Sequence, residues 1–282
     1  MNLIDLHVHS TKSDGTLTPK ELVLLAQKNH LTAFALTDHD TTDGVDEALF
    51  TGKELGIEVV PGIELSTTYR NHDIHILGYY PDYCEESFCV ELAKFRESRE
   101  KRNQKMVEKL NAFGFSLSLE EIKAEAGDAV ITRAHFARVM KQHGYISSIS
   151  DAFSKYIGNG CPCFVPRSRL SPMDAVHFLK KHHAIPVLAH PLLYSLSEQE
   201  LETLVDLLKE HGLIGIEAIY SRNTGFDEGN MRRLARKKEL LITGGSDFHG
   251  ANKPDLSLGS GVGNLKIPYE LLEQLKKTLD CE

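Results

Sequence analysis

Asp5-Leu6-His7-Val8-His9-Ser10 and Gly245-Ser246-Asp247-Phe248-His249-Gly250 decide the reading of this chain, because His and Asp side chains crowd both ends of one folding unit. In a strand, residues two apart face the same side. An apolar run ending in His-x-His therefore aims both imidazoles at one ion while the backbone stays rigid. His7 and His9 read as co-ligands, and the pairing of the two segments points to a metal-dependent hydrolase.

Between those ends, short β-rich runs alternate with helical patterns. Strands are expected over Asn2–Leu6, Ala33–Leu36, Glu58–Val60, Ile74–Leu77, Ile185–Ala189, Gly215–Ile219 and Leu240–Thr243, with helices filling the gaps. Helix starts carry capping chemistry at Thr18-Pro19-Lys20-Glu21, Ser118-Leu119-Glu120-Glu121 and Ser197-Glu198-Gln199-Glu200, where a hydroxyl and a later carboxylate satisfy free N–H groups. This is the βα alternation of a parallel sheet or barrel. His7 with His9, Asp38-His39-Asp40, Glu64, His190 and Asp247 with His249 are each expected just beyond a strand's C-terminal end, the face on which α/β barrels build active sites. From Glu85 to Ser168 the β signal fades. A long charged helical pattern (Glu85 to Phe113) leads there into shorter ones, which read as a helical insertion over the barrel mouth.

Composition bounds the rest. At 282 residues and 41% hydrophobic, the chain can bury one barrel-sized core. Its 32 basic against 40 acidic residues, a formal charge of -8, argue against binding duplex DNA through a basic surface. No signal-peptide pattern and no long apolar run is present, so a cytoplasmic location without membrane contact is expected. The 5 cysteines show neither disulfide nor zinc-knuckle spacing, and Cys161-Pro162-Cys163 reads as packing.

Of the 14 histidines, His7, His9, His39, His75, His190 and His249 sit beside Asp, Glu or another His just after expected strands. Asp14, Glu64 and Asp247 bring the candidate ligands to more than one ion with an open position can take. Two or more ions are implied, with Glu64 able to bridge a pair of the kind that clamps an in-line displacement at phosphorus. Imidazole and carboxylate without thiolate suit Mn²⁺, Fe²⁺ or Zn²⁺.

Asp5-Leu6-His7-Val8-His9-Ser10, Leu36-Thr37-Asp38-His39-Asp40, Gly62-Ile63-Glu64, His75-Ile76-Leu77-Gly78, Leu188-Ala189-His190-Pro191 and Ser246-Asp247-Phe248-His249 occur in the order found in the PHP (polymerase and histidinol phosphatase) family, which the chain resembles over nearly its whole length. Asp14-Gly15-Thr16-Leu17-Thr18-Pro19, Arg133-Ala134-His135, and Ala152-Phe153 through Phe164-Val165-Pro166-Arg167 are similar to the stand-alone branch of 3′,5′-nucleotide bisphosphate phosphatases, also described as 5′→3′ exoribonucleases. The resemblance implies a distorted (β/α)7 barrel, residues 1–84 and 169–282, capped by the helical insertion 85–168. It implies two or three divalent ions on His7, His9, Asp14, His39, Glu64, His75, His190, Asp247 and His249. One grouping is His7, His9, Glu64 and Asp247; Glu64, His75 and His190; and Asp14, His39 and His249.

Glu64, Asp247 and His190 are the implied catalytic residues, and Arg133 with His135 the implied substrate-phosphate contacts. The family commonly has Pro where this chain has Ala134. Arg167 and Lys253 are lesser candidates of the same kind. Asp40 could orient His39, and Asp38 could cap a strand end. The implied reaction is attack of a metal-bridging hydroxide on a nucleotide phosphate, either the 3′-phosphate of a nucleoside 3′,5′-bisphosphate or short 5′-phosphorylated single-stranded RNA trimmed from its 5′ end. The alternatives are a histidinol-phosphate phosphatase with the same metals, or a non-catalytic metal-binding PHP module.

Overall fold

A computed structural model describes residues 2–166 and 170–279; Arg167 lies outside them. Seven strands form one sheet in sequential order, β1 (Leu3–Val8), β2 (Leu31–Leu36), β3 (Glu58–Tyr69), β4 (His72–Tyr79), β5 (Ile185–Leu188), β6 (Gly215–Tyr220) and β7 (Leu241–Gly245). The sheet curls into a nearly closed barrel. Its seam between β7 and β1 is narrow: Val8 bridges Phe248, and the His9 amide donates to the Phe248 carbonyl at 3.0 Å. Below the seam Asp5 is fully buried and accepts from the Ser246 amide at 2.9 Å, the Ser246 hydroxyl at 2.5 Å and the Gly259 amide at 2.8 Å. Burial pushes its carboxyl up to about 6 against the pull of those bonds.

The sequence pattern read as uniform βα alternation; the structure departs from it at β4. No helix separates β3 from β4, and the two form an antiparallel hairpin. Its turn residues Arg70 and Asn71 have φ of 47° and 67°, the pair of left-handed residues a tight two-residue connection needs. β4 is antiparallel to β5 as well, whereas β1–β2, β2–β3, β5–β6 and β6–β7 are parallel. The distortion of the barrel is this reversed strand, and reversal brings its beginning to the mouth where the other strands end.

The helices are α1 (Pro19–Lys28), α2 (Val45–Leu55), α3 (Glu86–Ala112), α4 (Leu119–Ala126), α5 (Arg133–Gln142), α6 (Ile149–Ala152), α7 (Pro172–Lys181), α8 (Glu198–Glu210), α9 (Asp227–Lys237) and α10 (Glu270–Leu279). The hydroxyl-to-carboxylate boxes expected at Thr18, Ser118 and Ser197 are all formed. Ile4, Leu6, Ala33, Ala35, Val60, Leu77, Val187 and Ile219 make one apolar cluster with Leu271, Leu272 and Leu275 of α10. Others join β3 and β4 to α7 and α8, and β2 to α1 and α2.

The helices between β4 and α7 hold their own core, with Met106, Leu110, Ile122, Phe136, Met140 and Ile157 buried together. α3 belongs to both bodies. Its first turns put Phe88 and Leu92 against Phe178 of α7, and its last turns enter the separate core. At its middle, Arg99 reaches the barrel rim. Its Nε donates to Asp40 Oδ2 at 2.7 Å, its Nη2 to Ser66 Oγ at 3.2 Å and its Nη1 to the Ile131 carbonyl at 2.9 Å.

Candidate metal centre

All nine expected ligands converge at the mouth, though three are placed differently from the reading above. His7 lies inside β1, Glu64 in the middle of the twelve-residue β3, and His75 near the beginning of the reversed β4. His39, His190, Asp247 and His249 do follow strand ends. Past the end of β2, Glu64 N donates to the Asp38 carbonyl at 3.1 Å and Asp40 N to the Glu64 carbonyl at 3.0 Å. This continued ladder sets His39 beside Glu64.

Glu64 is the hub. Oε2 lies 3.2 Å from His7 Nε2, 3.2 Å from His9 Nε2 and 3.1 Å from His39 Nδ1. Oε1 lies 2.8 Å from His75 Nδ1 and 3.0 Å from His190 Nε2. Asp247 Oδ1 faces His249 Nδ1 at 3.3 Å, His9 Nε2 at 3.5 Å and His7 Nε2 at 3.7 Å. Asp14 Oδ1 is 3.2 Å from His249 Nε2, and its Oδ2 is 3.8 Å from His39 Nε2. Ligand atoms gather within 4.8 Å as His9, Asp14, His39 and His249; as His7, Glu64 and His190; as His7, His9 and Asp247; and as His39, Glu64 and His75. His9 thus stands nearer the Asp14 group than the sequence grouping had it, and His75 and His190 fall into separate sets around Glu64.

The donor set fits divalent cations. His7 Nε2, both ring nitrogens of His9 and Glu64 Oε2 are buried without a hydrogen-bond partner. Buried polar atoms left in that state are costly, and lone pairs converging on a cation explain them. Charge agrees with this reading. Burial alone would raise the Glu64 carboxyl, yet His39, His7 and His75 hold it well below the usual range. Asp247 is likewise held down against burial by Lys253 and His249, and Asp14 by His249 and His39. Three ionised, buried carboxylates among imidazoles are a site for added positive charge.

Around the ligands stands a layer the sequence reading only partly saw. Tyr220 OH donates to Asp247 Oδ2 at 2.7 Å and Lys253 Nζ to the same oxygen at 2.5 Å, leaving Oδ1 for the centre. Asp38 accepts from Ser10 N, Ser10 Oγ and Ser13 Oγ and so fixes the loop that carries Asp14. The Asp40 carboxylate holds Arg99 and the Ser66 amide. Glu217, on β6 and 1% exposed, was missed. Its Oε1 meets His7 Nδ1 at 3.0 Å and its Oε2 accepts from the His190 amide at 2.7 Å. A lone Glu in the apolar run Gly215-Ile216-Glu217-Ala218-Ile219 was the available signal.

Arg133 and His135, expected to share one phosphate, point apart in this structure, as residues two apart on a helix do. Arg133 Nη2 pairs with Asp73 at 2.7 Å, and its guanidinium carbon lies 5.5 Å from each of the Phe153 and Phe164 rings. His135 is buried, and its Nδ1 accepts from the Thr132 amide at 2.9 Å. It lines a cleft of about 270 Å³ with Thr11, Ser13, Gly15, Glu125 and Arg138, beside the Asp14 ligand. Burial and the neighbouring Arg138 push the imidazole down to about 4, so at neutral pH it is uncharged and presents its N–H at Nε2.

The PHP domain pattern matches residues 5–213. The chain belongs to the PHP family. A 5′-3′ exoribonuclease Rnm of Escherichia coli is 35% identical over 99% of this chain and 97% of its own length. A 3′,5′-nucleoside bisphosphate phosphatase of Chromobacterium violaceum is 32% identical over 91% of this chain and 90% of its own. Among solved structures, a Bifidobacterium adolescentis protein assigned as a metal-dependent phosphoesterase superposes with a TM-score of 0.84 at 29% identity, covering 97% of this chain and 95% of that one.

Proposed function

We propose that this metal-dependent phosphoesterase acts on nucleotides, releasing the 3′-phosphate of nucleoside 3′,5′-bisphosphates and trimming short 5′-phosphorylated single-stranded RNA from its 5′ end. The observation that carries the reading is the Glu64-centred cluster with a polar cleft of about 270 Å³ beside Asp14, in a chain similar over nearly its full length to an exoribonuclease and a bisphosphate phosphatase. His7, His9, Asp14, His39, Glu64, His75, His190, Asp247 and His249 would hold two or three divalent ions, Mn²⁺, Fe²⁺ or Zn²⁺. When bound, such ions supply an activated water and charge neutralisation for in-line attack at phosphorus.

The chain's own residues do the remaining work. Glu64, with an oxygen toward each side of the cluster, orients both halves of the centre, and Asp247, steadied by Tyr220 and Lys253, presents one oxygen to it. Arg133, held between Phe153 and Phe164, would meet one phosphate group of the substrate, and His135, in the cleft beside Asp14, would offer a neutral N–H donor to another. Helices of the 85–168 segment form a cap that limits water at the mouth, and the enzyme works in the cytoplasm on soluble substrates. Among the described residues no helix is long and apolar enough to cross a membrane.

The test is Mn²⁺-reconstituted protein with adenosine 3′,5′-bisphosphate, followed by chromatography of the products. Appearance of 5′-AMP and inorganic phosphate is expected. Turnover of histidinol phosphate with none of the bisphosphate would replace this reading with the amine-bearing monoester.

A further inference from the structure

Glu217 is buried from solvent, yet it contacts two candidate ligands of the centre at once. One oxygen meets His7 Nδ1 at 3.0 Å, and the other takes the backbone N–H of His190 at 2.7 Å. Both His7 and Glu217 are buried on β1 and β6, on opposite flanks of β7. His190 has φ of 23°, a conformation a non-glycine residue holds only when its surroundings impose it. Gly245 of β7 is the spacer that lets this happen: a Cβ there would lie 2.2 Å from His7 Cβ and 2.9 Å from Glu217 Oε1.

We propose that Glu217 is the positioning residue of the centre, fixing the tautomer of His7 and the backbone of His190 together. A carboxylate at His7 Nδ1 requires the proton on that nitrogen, which leaves the Nε2 lone pair facing Glu64, Asp247 and the ion. Metal-bound histidines commonly depend on such a partner, and its loss typically costs 10–100-fold in metal affinity. The inference rests on the metal-centre reading above and assigns a residue outside the nine ligands.

The argument turns on the carboxylate having two acceptors and no donor. Glutamine has nearly the same shape but one amide NH₂, and either orientation fails. With NH₂ toward His7, the ring must accept at Nδ1, its proton moves to Nε2, and the lone pair aimed at the ion is lost. With NH₂ toward His190, two donors abut and the His190 turn must shift. Aspartate keeps both acceptors but is one methylene short, so it restores part of the function.

The experiment is metal titration of the apoprotein with Mn²⁺ and Zn²⁺ against a competing chelating dye, for wild type, E217Q, E217D, H7A and H7A/E217Q, with thermal unfolding of each apoprotein alongside. E217Q is expected to weaken the His7 and His190 class of site 10–100-fold and leave the Asp14, His39 and His249 class, which Glu217 does not touch, within twofold. E217D should fall between E217Q and wild type, and E217Q should add little in the H7A background.

Wild-type affinity at every site in E217Q would overturn the proposal. So would an equal loss at all sites together with a lowered apoprotein melting temperature, since Glu217 would then merely hold the barrel together. If wild-type apoprotein binds neither metal, the metal-centre reading itself falls, a result separate from any effect of Glu217.

Discussion

Replacing Arg99 with methionine tests how the cap is fastened to the barrel. Arg99 is 4% exposed and Asp40 fully buried, so the pair lies out of water. The guanidinium also reaches Ser66 Oγ and the Ile131 carbonyl. Methionine fills much of the same volume but leaves Asp40 buried without its guanidinium. Breaking a buried pair from one side costs about 3–5 kcal/mol, a large part of the roughly 5–15 kcal/mol that stabilises a domain. Equilibrium urea unfolding, followed by circular dichroism, should show a loss of that size for R99M.

The partner change is D40N, chosen because Asp40 has φ of 52° and asparagine tolerates that conformation. In D40N/R99M the stranded charge is gone, so the double variant should be more stable than R99M alone and far from the sum of the single losses. A loss under about 1 kcal/mol in R99M, or additive behaviour in the double variant, would refute the claim that this pair is a buried, mutually dependent latch.

Glu64→Gln should reduce bound metal on elemental analysis and lower turnover by more than about 100-fold, because losing a direct ligand should exceed the cost of losing an outer partner. Stripping the ions with EDTA should lower the melting temperature; at free metal about 100 times Kd each ion stabilises by about 2.7 kcal/mol, or on the order of 5–10 °C per site in a chain of this size, and an unchanged melting curve would count against a resident metal. His135, pushed down to about 4 from 6.5, stays neutral in the fold while the unfolded chain takes up a proton. Its contribution is therefore intact above pH 6.5 and lost as pH falls toward 4, about 3 kcal/mol in all. H135Q should flatten the stability–pH curve in that window relative to wild type, and parallel curves would contradict it.

Much of the candidate ligand set was legible because polar residues break apolar runs in or just after strands, and His7-Val8-His9 needs only the strand period to place two imidazoles together. Capping boxes at Thr18, Ser118 and Ser197 were legible for a similar reason, since their partners are three residues apart. What was not legible depends on contacts distant in sequence. Tyr69-Arg70-Asn71-His72 carries no glycine, so nothing local announced the hairpin that reverses β4. Glu217 looks like any strand glutamate until His7 and His190 are set on either side of it. Arg99 sits in a charged helical stretch with many exposed neighbours, and only the docking of α3 shows that it and Arg102 turn inward. Arg133 and His135 were read together from a family-like motif, and what the sequence did not show is that helix geometry sets one at Asp73 and the other in the cleft beside Asp14.

The narrow β1–β7 seam bears on synthesis. Asp5 and Ser246, which clasp it, are 241 residues apart in sequence, and His7 and His9 wait across the same gap for Asp247 and His249. At roughly 5–20 residues per second, a ribosome needs on the order of tens of seconds to supply the last two candidate ligands, Asp247 and His249. During that interval the nascent chain carries histidines and Glu64 but no closed centre. A centre assembled this way stays incomplete until the last strand, β7, docks against β1.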